Sequence, residues 1–100
     1  MPVLLEQVMP EGVDVSMLDE VTAEMDAHND PPAGLIVHVH FMENGRARIV
    51  DVWESAEAFD QFAEARLQPA IGKVSERRGI TMGAQPETSI TEIASVVKGR

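Results

Sequence analysis

The chain has no cysteine and no tyrosine. Without cysteine there is no disulfide framework, no thiolate nucleophile, no sulfur-bound zinc and no iron-sulfur cluster. Without tyrosine, no phenol can act as an acid or hydrogen-bond donor in a site. Basic residues are scarce too: eight Lys and Arg against seventeen Asp and Glu leave a formal charge of −9. That balance repels phosphate backbones and anionic lipid surfaces, and argues against nucleic-acid or membrane partners. No apolar run approaches the roughly 18 to 20 residues that cross a bilayer. The opening MPVLLEQVMP lacks the basic start and long apolar core of a secretory signal, so a cytoplasmic location is expected. Glycine-rich phosphate loops and Ser/His/Asp nucleophile sets are absent, which leaves phosphoryl transfer and cofactor-dependent redox chemistry without support and implies no cofactor. One hundred residues allow one domain with one core, expected to span residues 1 to 100.

What is present is concentrated in GLIVHVHFMENGRARIVDVW, residues 34 to 53. Asn44-Gly45 between alternating apolar runs is a strong hairpin signal, because both residues can adopt the positive φ of a two-residue loop. The loop sets the register: Glu43 opposes Arg46, His40 opposes Ile49, His38 opposes Asp51 and Ile36 opposes Trp53. His38, His40, Ile49, Asp51, Ile36 and Trp53 share one face with Met42 and Ala47. The other face carries Leu35, Val37, Val39, Phe41, Val50 and Val52, with Arg48 near the turn, and is expected to pack on helices.

Around the hairpin, residues 3 to 9 (VLLEQVM) form a β-prone run ended by Pro10 and Gly12. From Asp14 or Ser16 the apolar period becomes helical through Leu18, Val21, Met25 and His28, with Ser16-x-x-Asp19 resembling a capping box. That helix must stop before Asn29-Asp30-Pro31-Pro32, and His28 near its end is expected to favour the helix dipole. Ser55 can cap a second helix whose stripe runs through Phe59, Phe62, Ala63, Arg66 and Leu67. Pro69 kinks and extends it toward Arg77 and Arg78, with Gly79 suited to the left-handed cap. After a loop bounded by Gly83 and Pro86, residues 88 to 97 are β-branched and predict a last strand. The methionines at 17, 25, 42 and 82 read as gap-fillers.

The order strand, helix, strand, strand, helix, strand predicts a ferredoxin-like βαββαβ α+β fold with one antiparallel sheet and both helices on one face. Ile36, His40, Met42, Ile49 and Trp53 then lie on the uncovered face and are too apolar for water. A second copy of the chain, sheet against sheet, would cover them and enclose a partly polar cavity.

With VDVWESAEAFDQFAEARLQPAI, this arrangement resembles the dimeric α+β barrel superfamily, and within it the antibiotic biosynthesis monooxygenase type of domain. The residues that carry the resemblance are Val50, Trp53, Glu54, Ser55 and Phe59, and the residue-level match runs from 34 to 79. It implies a homodimer that binds a small hydrophobic, aromatic or polyketide-like molecule, acting as a cofactor-free monooxygenase or cyclase. Haem-degrading members pair such a Trp with a His in the second helix, where this chain has Ala63. Those enzymes and some monooxygenases also place an Asn on the first strand, where Glu6 or Gln7 stands here. Phenol-oxidising and cyclising members often use a Tyr, which this chain lacks. The histidine pair on strand two is similar to cyclase-like members that use a His as base.

His38 opposite Asp51 has the form of a general base with its orienting acid. His38 and Asp51 are the catalytic candidates, and Trp53, Ile36, Ile49, Met42 and His40 the substrate-binding ones. A buried polar pair that stabilises a non-catalytic ligand-binding or structural homodimer is the alternative. The His38-x-His40 spacing could also offer two nitrogens to a metal, with Asp51 or Glu92 as a further ligand, but no third firm ligand is evident and no metal is expected.

Overall fold

The structure is a computed structural model that describes residues 1–80 and 85–99; the Gly83 end of the expected loop, and Met82, lie outside the described residues. Strands β1 (Val3–Val8), β2 (Leu35–Glu43), β3 (Arg46–Trp53) and β4 (Glu87–Glu92) form one antiparallel sheet in the order β2-β3-β1-β4. Helix α1 (Val15–Glu24) joins β1 to β2, and a helical run joins β3 to β4. This is the ferredoxin-like α+β arrangement.

The hairpin forms as its turn chemistry dictates, with Asn44 at φ 53° and Gly45 at φ 77°. His38 opposes Asp51, and His40 opposes Ile49. The register slips by one between Leu35 and Val37. Leu35, not Ile36, therefore opposes Trp53, and Ile36 is the extra residue of a β-bulge. Leu35 consequently packs with Trp53 instead of joining Val37 on the other side of the sheet.

Burial reverses the expected assignment of faces. Asp51, Trp53, Ala47, Val3 and Leu5 are buried under the helices, whereas Val37, Val39 and Phe41 are exposed. Val50 and Val52 pair with Val39 and Val37 on that same open side. Arg48 is there too, opposite Phe41 and 3.1 Å from Glu43. Both faces are largely apolar, so alternation alone cannot say which one meets the helices.

Asp14, not Ser16, caps α1: its side chain accepts from the Met17 amide at 3.0 Å and from the Ser16 hydroxyl at 2.7 Å. These bonds, Ser16 first, hold the Asp14 carboxyl below its ordinary range. The helix ends at Glu24, so His28 lies in the following turns and does not serve the helix end. Ser55 caps α2 (Ala56–Phe62) through the Ala58 amide. A π-turn, Ala63–Leu67, leads into α3 (Gln68–Arg78), which Gly79 closes at φ 67°. Pro69 has no N–H to offer Ala65, and the chain widens to an i→i−5 bond from Gln68 to Ala63 just before it. The last strand is shorter than the β-branched run, ending at Glu92.

Candidate functional site

Three apolar clusters lie between the sheet and the helices. One joins Met9, Val13, Met17 and Ala47; a second joins Val3, Leu5 and Trp53; the third joins Val21, Ala70 and Val74. They ring a cavity of about 490 Å³ that takes Leu18 and Ile49 from the first, Trp53, Phe59 and Phe62 from the second, and Val21 and Leu67 from the third. The core is therefore hollow at its centre, within the size range of small-molecule sites.

Sequence places each wall. The bulge keeps both Leu35 and Ile36 on the cavity lining. Trp53, 1% exposed, stacks edge-on against Phe59 with centroids 5.6 Å apart and lies tilted on Phe62 at 5.2 Å. Gly34, at φ 86°, lets α2 come close, since a Cβ there would meet the Ala58 Cβ at 2.6 Å. The π-turn directs Arg66 to the Met25 and Asp30 carbonyls, both at 2.8 Å. This pins the segment after α1, whose Ala27, His28, Pro31 and Pro32 also line the cavity.

At the polar end the side chains form one continuous hydrogen-bonded chain. The Trp53 indole donates to Asp51 Oδ2 at 3.0 Å, and Asp51 Oδ1 lies 2.6 Å from His38 Nδ1. His38 Nε2 is 2.8 Å from His40 Nδ1, and His40 Nε2 is 2.7 Å from Asp19 Oδ1. The two ends differ most in exposure, with the Asp51 side chain 6% exposed and that of Asp19 64%, and the His38 and His40 rings between them are 30% and 15% exposed.

Hydrogen-bond chemistry fixes the proton count. Carboxylates only accept, so His38 Nδ1 and His40 Nε2 must both carry hydrogen. The contact between the two rings needs one further proton. Three N–H groups over two imidazoles satisfy every contact, one more than two neutral rings supply. With both carboxylates ionised and every contact hydrogen-bonded, the relay holds one positive charge between them, and a proton shift across 2.8 Å moves that charge from one ring to the other. Asp51 fixes the His38 tautomer, as an orienting carboxylate does in acid-base sites.

Solved structures place this geometry in context. Rv0793 from Mycobacterium tuberculosis superposes with a TM-score of 0.63 at 14% identity, over 98% of this chain and all of that one. A candidate antibiotic biosynthesis monooxygenase from Chloroflexus aurantiacus gives 0.62 at 16% identity, over 98% of both chains. An Asn-to-Ala variant of SnoaB, a cofactor-independent oxygenase from Streptomyces nogalater, gives 0.59 at 15% identity, over 98% of this chain and 97% of that one. The chain shares the fold of these proteins. No protein-family model and no curated protein matches its sequence.

In this fold the expected residues are sorted as follows. His38, Asp51, His40, Trp53, Ile36 and Ile49 all line the cavity. Met42 does not: it is 46% exposed on the edge strand beside the hairpin turn, although its cross-strand partner Ala47 is buried. The cavity lies between sheet and helices inside one chain, not between two sheets, because the mixed hairpin face points inward. On β1, Gln7 reaches the cavity lining, and Glu6, one residue before it, is exposed. Among the described residues no group of three or more His, Cys, Asp or Glu side chains is placed to hold a metal ion. Glu92, on β4 and separated from the histidines' strand by β3 and β1, opposes Val3 and does not join the histidines. Asp19 was missed by the sequence reading, since its place against His40 depends on how α1 sits across the sheet. Among the described residues no helix is long and apolar enough to cross a membrane.

Proposed function

We propose that the cavity binds a small hydrophobic molecule of aromatic or polyketide-like character, and that the His38–Asp51 pair supplies acid-base chemistry for its cofactor-free oxygenation or cyclisation. The observation that carries this reading is the joining of an apolar cavity of about 490 Å³ to a charged imidazole relay at one end. Similarity in fold to an oxygenase described as cofactor-independent supports the same class of chemistry. The chain acts as a homodimer in this reading, its open sheet face covered by a second copy.

The network also favours a second reading. Both nitrogens of His38 and both oxygens of Asp51 are engaged, which is what a structural polar network in a non-catalytic ligand-binding homodimer requires. The two readings separate in one experiment. Native mass spectrometry of the purified protein identifies a retained molecule, which becomes the substrate for wild type and His38→Ala. The catalytic reading expects His38→Ala to bind that molecule and lose turnover by about a hundredfold or more, the scale of general acid-base catalysis. Turnover at the wild-type rate defeats the catalytic reading, and loss of fold with no turnover in either protein favours the structural one.

A further inference from the structure

Every ring nitrogen of the relay is engaged, and only at its outer end is the partner a largely exposed side chain. Asp51 is buried, with both oxygens taken by Trp53 and His38. His38 lies between Asp51 and His40, so neither of its nitrogens is open to a ligand unless the relay breaks in the middle. His40 differs, because its inner nitrogen is held by His38 but its outer partner, Asp19, belongs to a side chain that is 64% exposed. Swinging that carboxylate into water costs little desolvation and breaks only one surface contact. The His40 ring itself is only 15% exposed and lines the cavity, as do Leu18 and Thr22 of the helix that carries Asp19, while Asp19 itself lies outside the lining.

We infer that Asp19 occupies the position of a ligand's acidic oxygen, and that His40 Nε2, not His38, is the nitrogen that meets a phenolic or enolic hydroxyl in the cavity. This rests on the cavity being a ligand site, as proposed above. A ligand that arrives as an anion replaces the Asp19 carboxylate as acceptor of the existing N–H. A ligand that arrives protonated does so as the Nε2 proton leaves with Asp19 to solvent. Its O–H bond then breaks, the electron pair stays on oxygen, and a new N–H bond forms at Nε2. Either route leaves an anionic oxygen against the imidazole relay, with His38 sharing the positive charge and the Asp51 carboxylate balancing it from behind. The exposure of Asp19 gives the displaced proton its exit.

The test uses naphthol, which has the hydroxyl, and naphthalene, which has only the shape. Trp53 is the sole tryptophan and forms part of the cavity wall, so its fluorescence reports occupancy, while imidazole nitrogen shifts by NMR report contact at His40. Asp19→Ala removes a competitor that masks the site, and a site masked in about 80 to 90% of molecules binds five- to tenfold more weakly than an open one. The expected result is therefore a gain of about that size for naphthol with none for naphthalene, a shift at His40 Nε2 on naphthol binding, and loss of the gain in Asp19→Ala/His40→Phe. If both probes quench Trp53 but Asp19→Ala changes neither affinity and the His40 nitrogens do not move, the inference is overturned and the cavity reading stands. If neither probe alters Trp53 fluorescence in any variant, the inference and the cavity reading both fall.

Discussion

Asp51 is the residue on which the relay depends, because it is buried and serves two donors at once. Removing it in Asp51→Ala strands the buried Trp53 indole N–H and leaves the part-buried His38 Nδ1–H without its partner. The loss should be about 2 to 4 kcal/mol, since each unpaired buried donor costs roughly 1 to 3 kcal/mol, and thermal denaturation would show it as a large fall in Tm. Asp51→Asn is expected to behave differently. Its one carbonyl oxygen must serve the indole, so its amide N–H₂ faces His38 and forces hydrogen onto Nε2 in place of Nδ1. Tm should then stay near wild type while the imidazole nitrogen shifts reveal the other tautomer; an unchanged His38 spectrum would show that Asp51 does not set it. Much of this site was legible in advance. Counting outward from Asn44-Gly45 places His38 against Asp51, because strand pairing is local and a two-residue turn leaves no freedom in the count. Asp19 was not legible, since it meets His40 only through the angle at which α1 crosses the sheet, a tertiary quantity that no spacing encodes.

At the scale of elements, α1 and α3 are tied on their outer surface by Arg77 to Glu20 and Glu24 at 2.7 and 2.5 Å and by Arg78 to Glu20 at 2.7 Å. The Arg78 and then the Arg77 hydrogen bonds hold the Glu20 carboxyl below its ordinary value, and Glu24 followed by Glu20 raises Arg77. The sign follows from linkage: a carboxyl depressed in the folded state contributes stability above its unfolded value and loses it as pH falls through the folded one. Glu20→Gln should thus lower Tm slightly near neutrality, and the gap to wild type should close as pH drops below the ordinary glutamate range. A gap that stays constant down to strongly acidic pH would show that the bridge does not act through charge. High salt should shrink the neutral-pH gap as well, because the pair is exposed. The elements themselves were readable from Ser55, Pro69 and Gly79, whose backbone preferences act locally. The bulge at Ile36 was not, because Leu35-Ile36 carries no glycine or turn residue and the slip follows from packing Leu35 onto Trp53. The facing of the hairpin was hidden for a related reason: its two faces are both apolar, and the more uniform one turned out to be the open one.

At the scale of the molecule, that open face must be accounted for. Val37, Val39 and Phe41 are 47%, 46% and 37% exposed, with Val50 and Val52 beside them on β3. A flat, continuous β-branched surface of this kind is rare on a chain that remains alone in water. A second sheet packed on it removes the problem and leaves the cavity mainly on the opposite side, with Val37 at its margin shared between the two. Two consequences can be measured together. Val39→Glu places a charge at the centre of the face while costing the single chain little, since Val39 is already half in water, so sedimentation should show dimer for wild type and monomer for the variant. With −9 on each chain, self-repulsion opposes association, and raising the salt concentration should tighten the wild-type dimer. The Val39→Glu monomer should still bind naphthol with quenching of Trp53, because no wall of the cavity comes from the partner. Loss of binding on monomerisation would mean that the partner completes or stiffens the site, and a wild type that sediments as a monomer at every concentration would leave the open face needing another explanation than a second copy.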